Sequence, residues 1–228
     1  MSGVRVAIID SGVHANHPHV GGVAGGIAFD SDGRGHDDFV DRLGHGTAVT
    51  AAIREKAPLA ELYAVRVFDR SLRAEIAALR AALDWAVERR VELVNLSLGT
   101  AEEAHEPVLR ACVERAVAAG VLIVSALRVG EGQSFLPGRL PGVLPVELDW
   151  DCPRDAVHEA VGLDGTPVWR ASPYPRPIPG VAPERNLRGL SFAVANVTGL
   201  LAAVLGGGPL RLDEAERRLA ASAGTGRV

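Results

Sequence analysis

The chain of 228 residues carries 24 basic and 28 acidic residues, a net charge of −4, and 47% of its residues are hydrophobic. This size favours one domain with one main core, and the composition excludes collagen-like, disordered and disulfide-scaffold chains. No run approaches the ~18 consecutive apolar residues that span a bilayer. Because the charges are mixed, there is no basic face for nucleic acid. We therefore expect neither a membrane nor a nucleic acid as a partner.

Five short apolar segments rich in β-branched residues predict buried strands. Apolar residues spaced by three and four predict helices between them, from Ile76 to Val87 and from Val108 to Val117, with Gly120 as a helix stop. Strands and helices that alternate in this way indicate an α/β fold with a parallel sheet covered on both faces. The predicted strands are residues 4–9, 61–67, 91–97, 121–126 and 143–148.

The last quarter of the chain breaks this alternation. Six prolines between residues 164 and 190 exclude a continuous helix and predict extended loops on the surface. An apolar helix is predicted from Ser191 to Leu205. Asp213, with Glu216 three residues later, predicts the capped start of a short final helix. We expect one domain over residues 1–222 and a flexible tail over residues 223–228.

The ends of the chain and its cysteines predict the compartment. Met1-Ser2-Gly3 leads directly into the first apolar segment, without the basic region or cleavage signature of a secretory leader. Cys112 and Cys152 are too few and too isolated in sequence for a metal site, so both are interpreted as free thiols. The prediction is a cytoplasmic protein without a cofactor or a metal.

Three places combine a reactive side chain with a backbone that would present it. Asp10 follows the first predicted strand, where open α/β folds place their sites, although such an Asp is often only a turn residue. His45 lies between two glycines in Gly44-His45-Gly46-Thr47, ahead of an apolar helical run. Ser191 opens another apolar helix, where its backbone N–H has no partner within the helix, although Ser is also a common N-cap.

The chain order Asp10, His45, Ser191 is one of the known orders of a Ser-His-Asp triad. Around these residues the chain resembles the subtilisin-like (subtilase, S8) serine peptidases over nearly its whole length. Residues 4–13 resemble the family's Asp motif, residues 44–47 its His motif and residues 189–199 its Ser motif. The resemblance implies a three-layer subtilisin-like fold with a mainly parallel sheet flanked by helices.

The resemblance also implies roles for particular residues. Ser191 would be the nucleophile, His45 the general base and Asp10 the partner that orients the imidazole. Ser97, Leu98 and Gly99 resemble the family's substrate-binding strand, and Arg73 would lie on the opposite rim. The implied activity is a serine endopeptidase that binds a peptide or protein in extended conformation, with peptide processing, and a protein partner in such a pathway, as an expected role.

The sequence departs from the family at the oxyanion asparagine. An ungapped comparison puts Val129 at that position, and no asparagine occurs between Asn95 and Asn186. The donors left are the Ser191 N–H and, as a candidate, the Gln133 side chain. Two hypotheses follow: a peptidase with reduced turnover, or a peptide-binding module that has lost catalysis. A nucleotide-binding protein is disfavoured because no Gly-x-Gly-x-x-Gly follows the first strand.

Two clusters suggest metal ions but fit them poorly. The first is a cluster of five aspartates between residues 30 and 41. Its spacing does not match that of an EF-hand, and we interpret it as a solvated loop that approaches His45. The crowded His14, His17 and His19 include a His17-Pro18 pair that has a counterpart in the family, so no zinc is expected there. The acidic residues are Asp30, Asp32, Asp37, Asp38 and Asp41.

Overall fold

The computed structural model describes residues 3–130, 132–162, 165–205 and 208–223, which form one sheet of nine strands and five α-helices. The strands lie in the order β3-β2-β4-β1-β5-β6-β7-β9-β8. All neighbouring pairs are parallel except β2 with β3 and β8 with β9, at the two edges. The strands are β1 (Arg5–Asp10), β2 (Gly25–Phe29), β3 (Gly35–His36), β4 (Glu61–Arg66), β5 (Leu93–Leu96), β6 (Leu122–Ala126), β7 (Val143–Leu148), β8 (Val157–Val161) and β9 (Pro167–Ala171).

Helices cover both faces of this sheet, which confirms the predicted α/β class. The helices are α1 (His45–Lys56), α2 (Ile76–Glu88), α3 (Glu106–Ala118), α4 (Leu190–Val204) and α5 (Leu212–Ala223). One core layer contains buried residues of α1, α4 and α5, such as Ile53, Val197 and Leu219. The other contains buried residues of α2 and α3, such as Leu83 and Leu109. Among the described residues, no helix has the length and apolar character needed to traverse a bilayer.

The prediction of surface loops throughout residues 164–190 was wrong at its start. Pro167–Ala171 is the buried strand β9, between β7 and β8. Pro167 is tolerated because it is the first residue of its strand, where proline disturbs a sheet least. Val168, Trp169 and Ala171 are all buried in the core. Strands β2, β3 and β8 were not predicted either.

The final helix begins differently from the prediction. Helix α5 starts at Leu212, so Asp213 lies within the first turn instead of capping it from outside. Its carboxylate accepts hydrogen bonds from Arg211 Nε and Arg217 Nη1, each at 3.2 Å. Ala223, predicted as the first residue of the tail, is the last residue of α5. The rest of the predicted tail, residues 224–228, lies outside the described residues.

Replacing Trp169 with Ala is expected to lower the free energy of unfolding by about 3–5 kcal/mol, because the side chain is 1% exposed and its loss leaves a large cavity. Trp150→Ala is the matched control, since that tryptophan is 52% exposed and its loss should cost less than about 1 kcal/mol. Urea denaturation followed by circular dichroism measures both. Equal losses for the two variants would contradict the buried position of β9.

Candidate active site

The end of one strand and the starts of two helices meet at one edge of the sheet. Asp10 is the last residue of β1, a central strand between β4 and β5. His45 is the first residue of α1, and Ser191 is the second residue of α4. Because the carboxyl ends of parallel strands share an edge, and both helices begin there, the fold collects these three residues from distant parts of the sequence.

The carboxylate of Asp10 is completely buried and accepts three hydrogen bonds. Its Oδ1 lies 2.7 Å from His45 Nδ1 and accepts the Ser11 N–H at 2.7 Å. Its Oδ2 accepts the hydroxyl of Ser97 at 2.8 Å. A buried carboxylate needs such donors, because an unpaired charge out of water is very costly. Ser97, predicted as a substrate-binding residue, therefore also supports Asp10.

Gly46 allows α1 to approach β1 this closely. A Cβ atom at this position would lie 2.2 Å from the carbonyl oxygen of Gly12 and 3.2 Å from the Cβ of Asp10. No side chain fits at 2.2 Å from a backbone oxygen, so the first turn of α1 requires glycine here. The glycine that follows His45 thus sets the distance between the imidazole and Asp10.

Asp41 fixes the start of α1. The interpretation of the acidic loop as solvated holds for the exposed Asp32, Asp37 and Asp38 but is wrong for Asp41. Its side chain is 2% exposed. It accepts hydrogen bonds from Ser11 Oγ at 2.8 Å, Gly44 N at 2.8 Å, Thr47 N at 2.9 Å and Thr47 Oγ1 at 2.6 Å. These bonds satisfy N–H groups that a helix start leaves unpaired. Burial raises the pKa of Asp41, but these hydrogen bonds outweigh it and hold the pKa below its ordinary value.

The imidazole of His45 lies in an acidic environment. Burial lowers its pKa, but the hydrogen bond and charge of Asp10 and the charge of Asp41 outweigh burial, so the pKa lies above its ordinary value. The ring of Phe192 packs beside it, with centroids 5.6 Å apart. The site therefore favours the protonated form of His45, which a general base must adopt during a reaction.

Ser191 is half-buried at the N-terminus of α4. Its hydroxyl lies 3.4 Å from the carbonyl oxygen of Ser97, to which it donates a long hydrogen bond. The described residues show no hydrogen bond from Ser191 Oγ to His45; in free enzymes such bonds are often long and form fully only with substrate. Ser97 links Asp10 and Ser191, because its hydroxyl donates to Asp10 and its carbonyl accepts from Ser191.

The predicted substrate-binding residues border one cavity of about 490 Å³, lined by Arg73, Leu98, Gly99 and Thr100 among others. Thr100 pairs antiparallel with Leu136 through two hydrogen bonds of 2.9 and 2.8 Å, which hold the segment that follows Ser97. The structure thus brings Arg73, Leu98 and Gly99 to the same cavity, whereas Ser97 directly precedes this segment and does not line the cavity.

In the part of the chain that the structure describes, no side-chain amide donates a hydrogen bond to Ser191. Val129 is 55% exposed and offers no side-chain donor. The Gln133 amide donates to the Ala101 carbonyl at 3.4 Å. The Ser191 N–H is free of acceptors among the described residues, and it lies at the positive end of the α4 dipole.

One group of possible metal ligands was missed in the sequence, where Cys152 looked isolated. Ligand atoms of Asp149, Cys152 and His158 lie within 4.8 Å of one another. His158 comes from the neighbouring strand β8, so only the fold places it there. Burial and the charges of Asp149 and Asp155 raise the pKa of the Cys152 thiol to about 11, and the thiol contacts the Ala156 carbonyl at 3.4 Å. A metal ion would have to displace that proton.

Comparisons with known proteins agree on one family. A model of the subtilase family matches residues 1–139. The M-protease of Shouchella clausii is 31% identical over 217 residues, covering 89% of this chain and 54% of its own length. Subtilisin Savinase of Lederbergia lenta is also 31% identical over 217 residues, covering 89% of this chain and 76% of its own. The thermostable alkaline protease of Halalkalibacterium halodurans is 34% identical over 155 residues, 64% of this chain and 41% of its own.

Two solved structures share the fold. Sphericase superposes with a TM-score of 0.68 at 23% identity, covering 96% of this chain and 82% of its own. The prenylagaramide maturation protease PagA superposes with a TM-score of 0.64 at 24% identity, covering 90% of this chain and 76% of its own. The chain spans about half the length of several curated relatives it matches.

Asp10→Asn is expected to lower the pKa of His45, because it removes the charge that raises this pKa against burial. The pKa of His45 is higher in the folded than in the unfolded chain, so the Asp10–His45 pair stabilises the fold below pH ~6.5. This contribution is lost as the pH rises through the folded-state pKa of His45. NMR titration of the imidazole measures the shift. Asp32→Asn, at an exposed position, is the control; an unchanged His45 pKa in Asp10→Asn would contradict the contact.

Proposed function

The chain belongs to the subtilase family, and we propose that it is a serine endopeptidase that hydrolyses peptide bonds through Asp10, His45 and Ser191. The observation that carries this proposal is the 2.7 Å contact between the buried Asp10 and His45, with Ser191 at a helix start beside Ser97. A hydroxyl, an imidazole and a buried carboxylate in this order are the parts of an acyl-transfer site.

The proposed reaction begins with attack of Ser191 Oγ on the substrate carbonyl carbon, while His45 Nε2 takes the hydroxyl proton. Asp10, bound to Nδ1, fixes the tautomer and stabilises the imidazolium. The Ser191 N–H donates to the developing oxyanion, helped by the dipole of α4. His45 then gives the proton to the leaving amine as the C–N bond breaks. Water hydrolyses the acyl-enzyme by the same steps in reverse, and Ser191 regains its proton.

We propose that the substrate is a peptide or protein bound in extended conformation. The segment Ser97-Leu98-Gly99 would pair with its main chain, which explains recognition chiefly through backbone hydrogen bonds. A processing role, with a protein partner in that pathway, is the finer proposal. A solved relative in fold is named a maturation protease, which supports the idea only by analogy. The cytoplasmic location stays a prediction.

The alternative is a peptide-binding module without catalysis. One observation favours it: Val129 stands where the family has its oxyanion asparagine, and Gln133 donates to Ala101. In subtilisin, loss of that asparagine costs roughly a hundred- to a thousandfold in kcat, not all activity. The Ser191 N–H remains, so we favour a slow peptidase.

A fluorophosphonate probe is expected to label Ser191 covalently, because His45 activates this hydroxyl. Ser191→Ala should abolish labelling and lower kcat roughly 10⁶-fold, the size of effect known for the serine of subtilisin. Ser134→Ala, at another half-buried serine, is the control and should label normally. Intact-mass spectrometry of folded protein measures the adduct. Absence of an adduct, together with equal peptide binding by wild type and Ser191→Ala, would establish the alternative.

Gln133→Ala is expected to change kcat by less than about threefold, because the amide is engaged with Ala101 and does not contact Ser191. Hydrolysis of a fluorogenic peptide measures this. A loss of roughly a hundred- to a thousandfold would instead identify Gln133 as the second oxyanion donor.

A further inference from the structure

A second cavity, of about 520 Å³, lies beside the first two turns of α1. Gly44 and Thr47, on either side of His45 in sequence, line it together with Ala48 and Ala51. These four residues follow the spacing of one helical stripe, so this face of α1 forms one wall. The cavity shares no lining residue with the one at Arg73 and Leu98.

The opposite wall is the proline-rich segment of residues 175–187, which leads directly into Ser191. This wall is tied to α4, because Asn196 Nδ2 donates to the carbonyls of Ser172 at 2.8 Å and Tyr174 at 3.1 Å. Asn186 Nδ2 donates to the Arg176 carbonyl at 3.3 Å. The cavity is therefore built from the elements that hold the two reacting side chains.

The lining of the cavity is largely apolar, and it includes one arginine, Arg176, that has no carboxylate partner among the described residues. Half of its lining residues are alanine, proline, Ile178 or Leu187, three more are histidines, and no lining residue is acidic. Arg176 is half-buried, donates to the His19 carbonyl at 3.3 Å, and forms no ion pair with any carboxylate among the described residues. Most other partly buried arginines here do have carboxylate partners, for example Arg139 with Glu106. A ligand that carries an apolar group and a carboxylate would satisfy both features.

We propose that this cavity, the leaving-side cavity, binds the part of the substrate on the C-terminal side of the cleaved bond and selects a large apolar residue adjacent to an acidic one. The inference rests on the proposed function. His45 must deliver its proton to the leaving amine, so the departing segment lies beside His45. The leaving-side cavity borders Gly44, which directly precedes His45, and Leu187, which lies four residues before Ser191.

The apolar part is tested with quenched-fluorescence peptides that carry Leu or Gly at each of the three positions after the cleaved bond. Wild type should prefer Leu at one of these positions. Ile178→Ala, which opens the wall, should lower kcat/KM for the Leu peptide roughly tenfold and leave the Gly peptide nearly unchanged. Val181→Ala is the matched control, since Val181 is an exposed apolar residue of the same segment that does not line the leaving-side cavity.

The charged part is tested by exchanging charges. Wild type should cleave peptides with Asp beside that Leu faster than peptides with Lys, and Arg176→Glu should reverse the order. Arg185→Glu makes the same change of charge in the same segment outside the leaving-side cavity, and should keep the wild-type order. Equal preferences in wild type, or reversal by both variants, would overturn the proposal.

The two levels of proposal fail differently. Cleavage without any residue preference after the scissile bond would overturn the proposed selectivity of the leaving-side cavity but leave the proposed peptidase function standing. If no peptide is cleaved, the peptidase fails, and fluorescence polarisation of the labelled peptides on wild type and on Arg176→Glu decides the cavity. Tighter binding of Leu-Asp than of Gly-Lys, lost in Arg176→Glu, would uphold it as a binding site; equal affinities would overturn it.

Discussion

The buried carboxylate of Asp10 is the constraint on which the site depends. Out of water, an ionised carboxylate must be met by donors, and here the donors come from three separate elements. His45 comes from the start of α1, Ser97 is the first residue after β5, and the Ser11 N–H belongs to the turn after β1. Satisfying one charge therefore fixes the distances between two strands and a helix. It also places the Ser97 carbonyl beside Ser191.

A second buried carboxylate makes that arrangement rigid. Asp41 holds the first turn of α1 through Gly44 and Thr47, and it holds Ser11 through the hydroxyl. The Ser11 hydroxyl in turn accepts the Gly46 N–H at 2.9 Å. Asp10 and Asp41 thus act on the same helix start from two sides, and both charges raise the pKa of His45. The helix dipole favours both carboxylates at this end, which reduces the cost of burying them.

Elements that depend on local sequence patterns could be predicted from the sequence. Features whose burial or neighbours depend on tertiary contacts could not. Strand β1 and helix α2 follow from runs and spacings, and the glycines around His45 mark a special backbone. Strand β9 could not be predicted, because it begins with a proline, and its few apolar residues are buried only in the sheet between β7 and β8. Asp41 looked like one of five solvated acids, because it precedes the N-cap Gly44 by three residues and so lies outside the position where a capping Asp is expected. Cys152 gained its neighbour His158 only through strand pairing.

The two cavities differ in charge, and this difference has a consequence for substrate direction. The cavity at Arg73 also contains Glu75 and Glu102, so its charges are mixed. The leaving-side cavity contains histidines and Arg176 without an acid. Under the proposed function, a peptide with an acidic group on its leaving side would fit better in one direction than in the reverse, because reversal would place that carboxylate beside Glu75 and Glu102 and leave Arg176 unpaired. Because the described residues supply only the Ser191 N–H as a proposed oxyanion donor, such orientation would matter more. Positioning lowers the barrier independently of the oxyanion site, and a correctly held bond can react even where charge stabilisation is reduced.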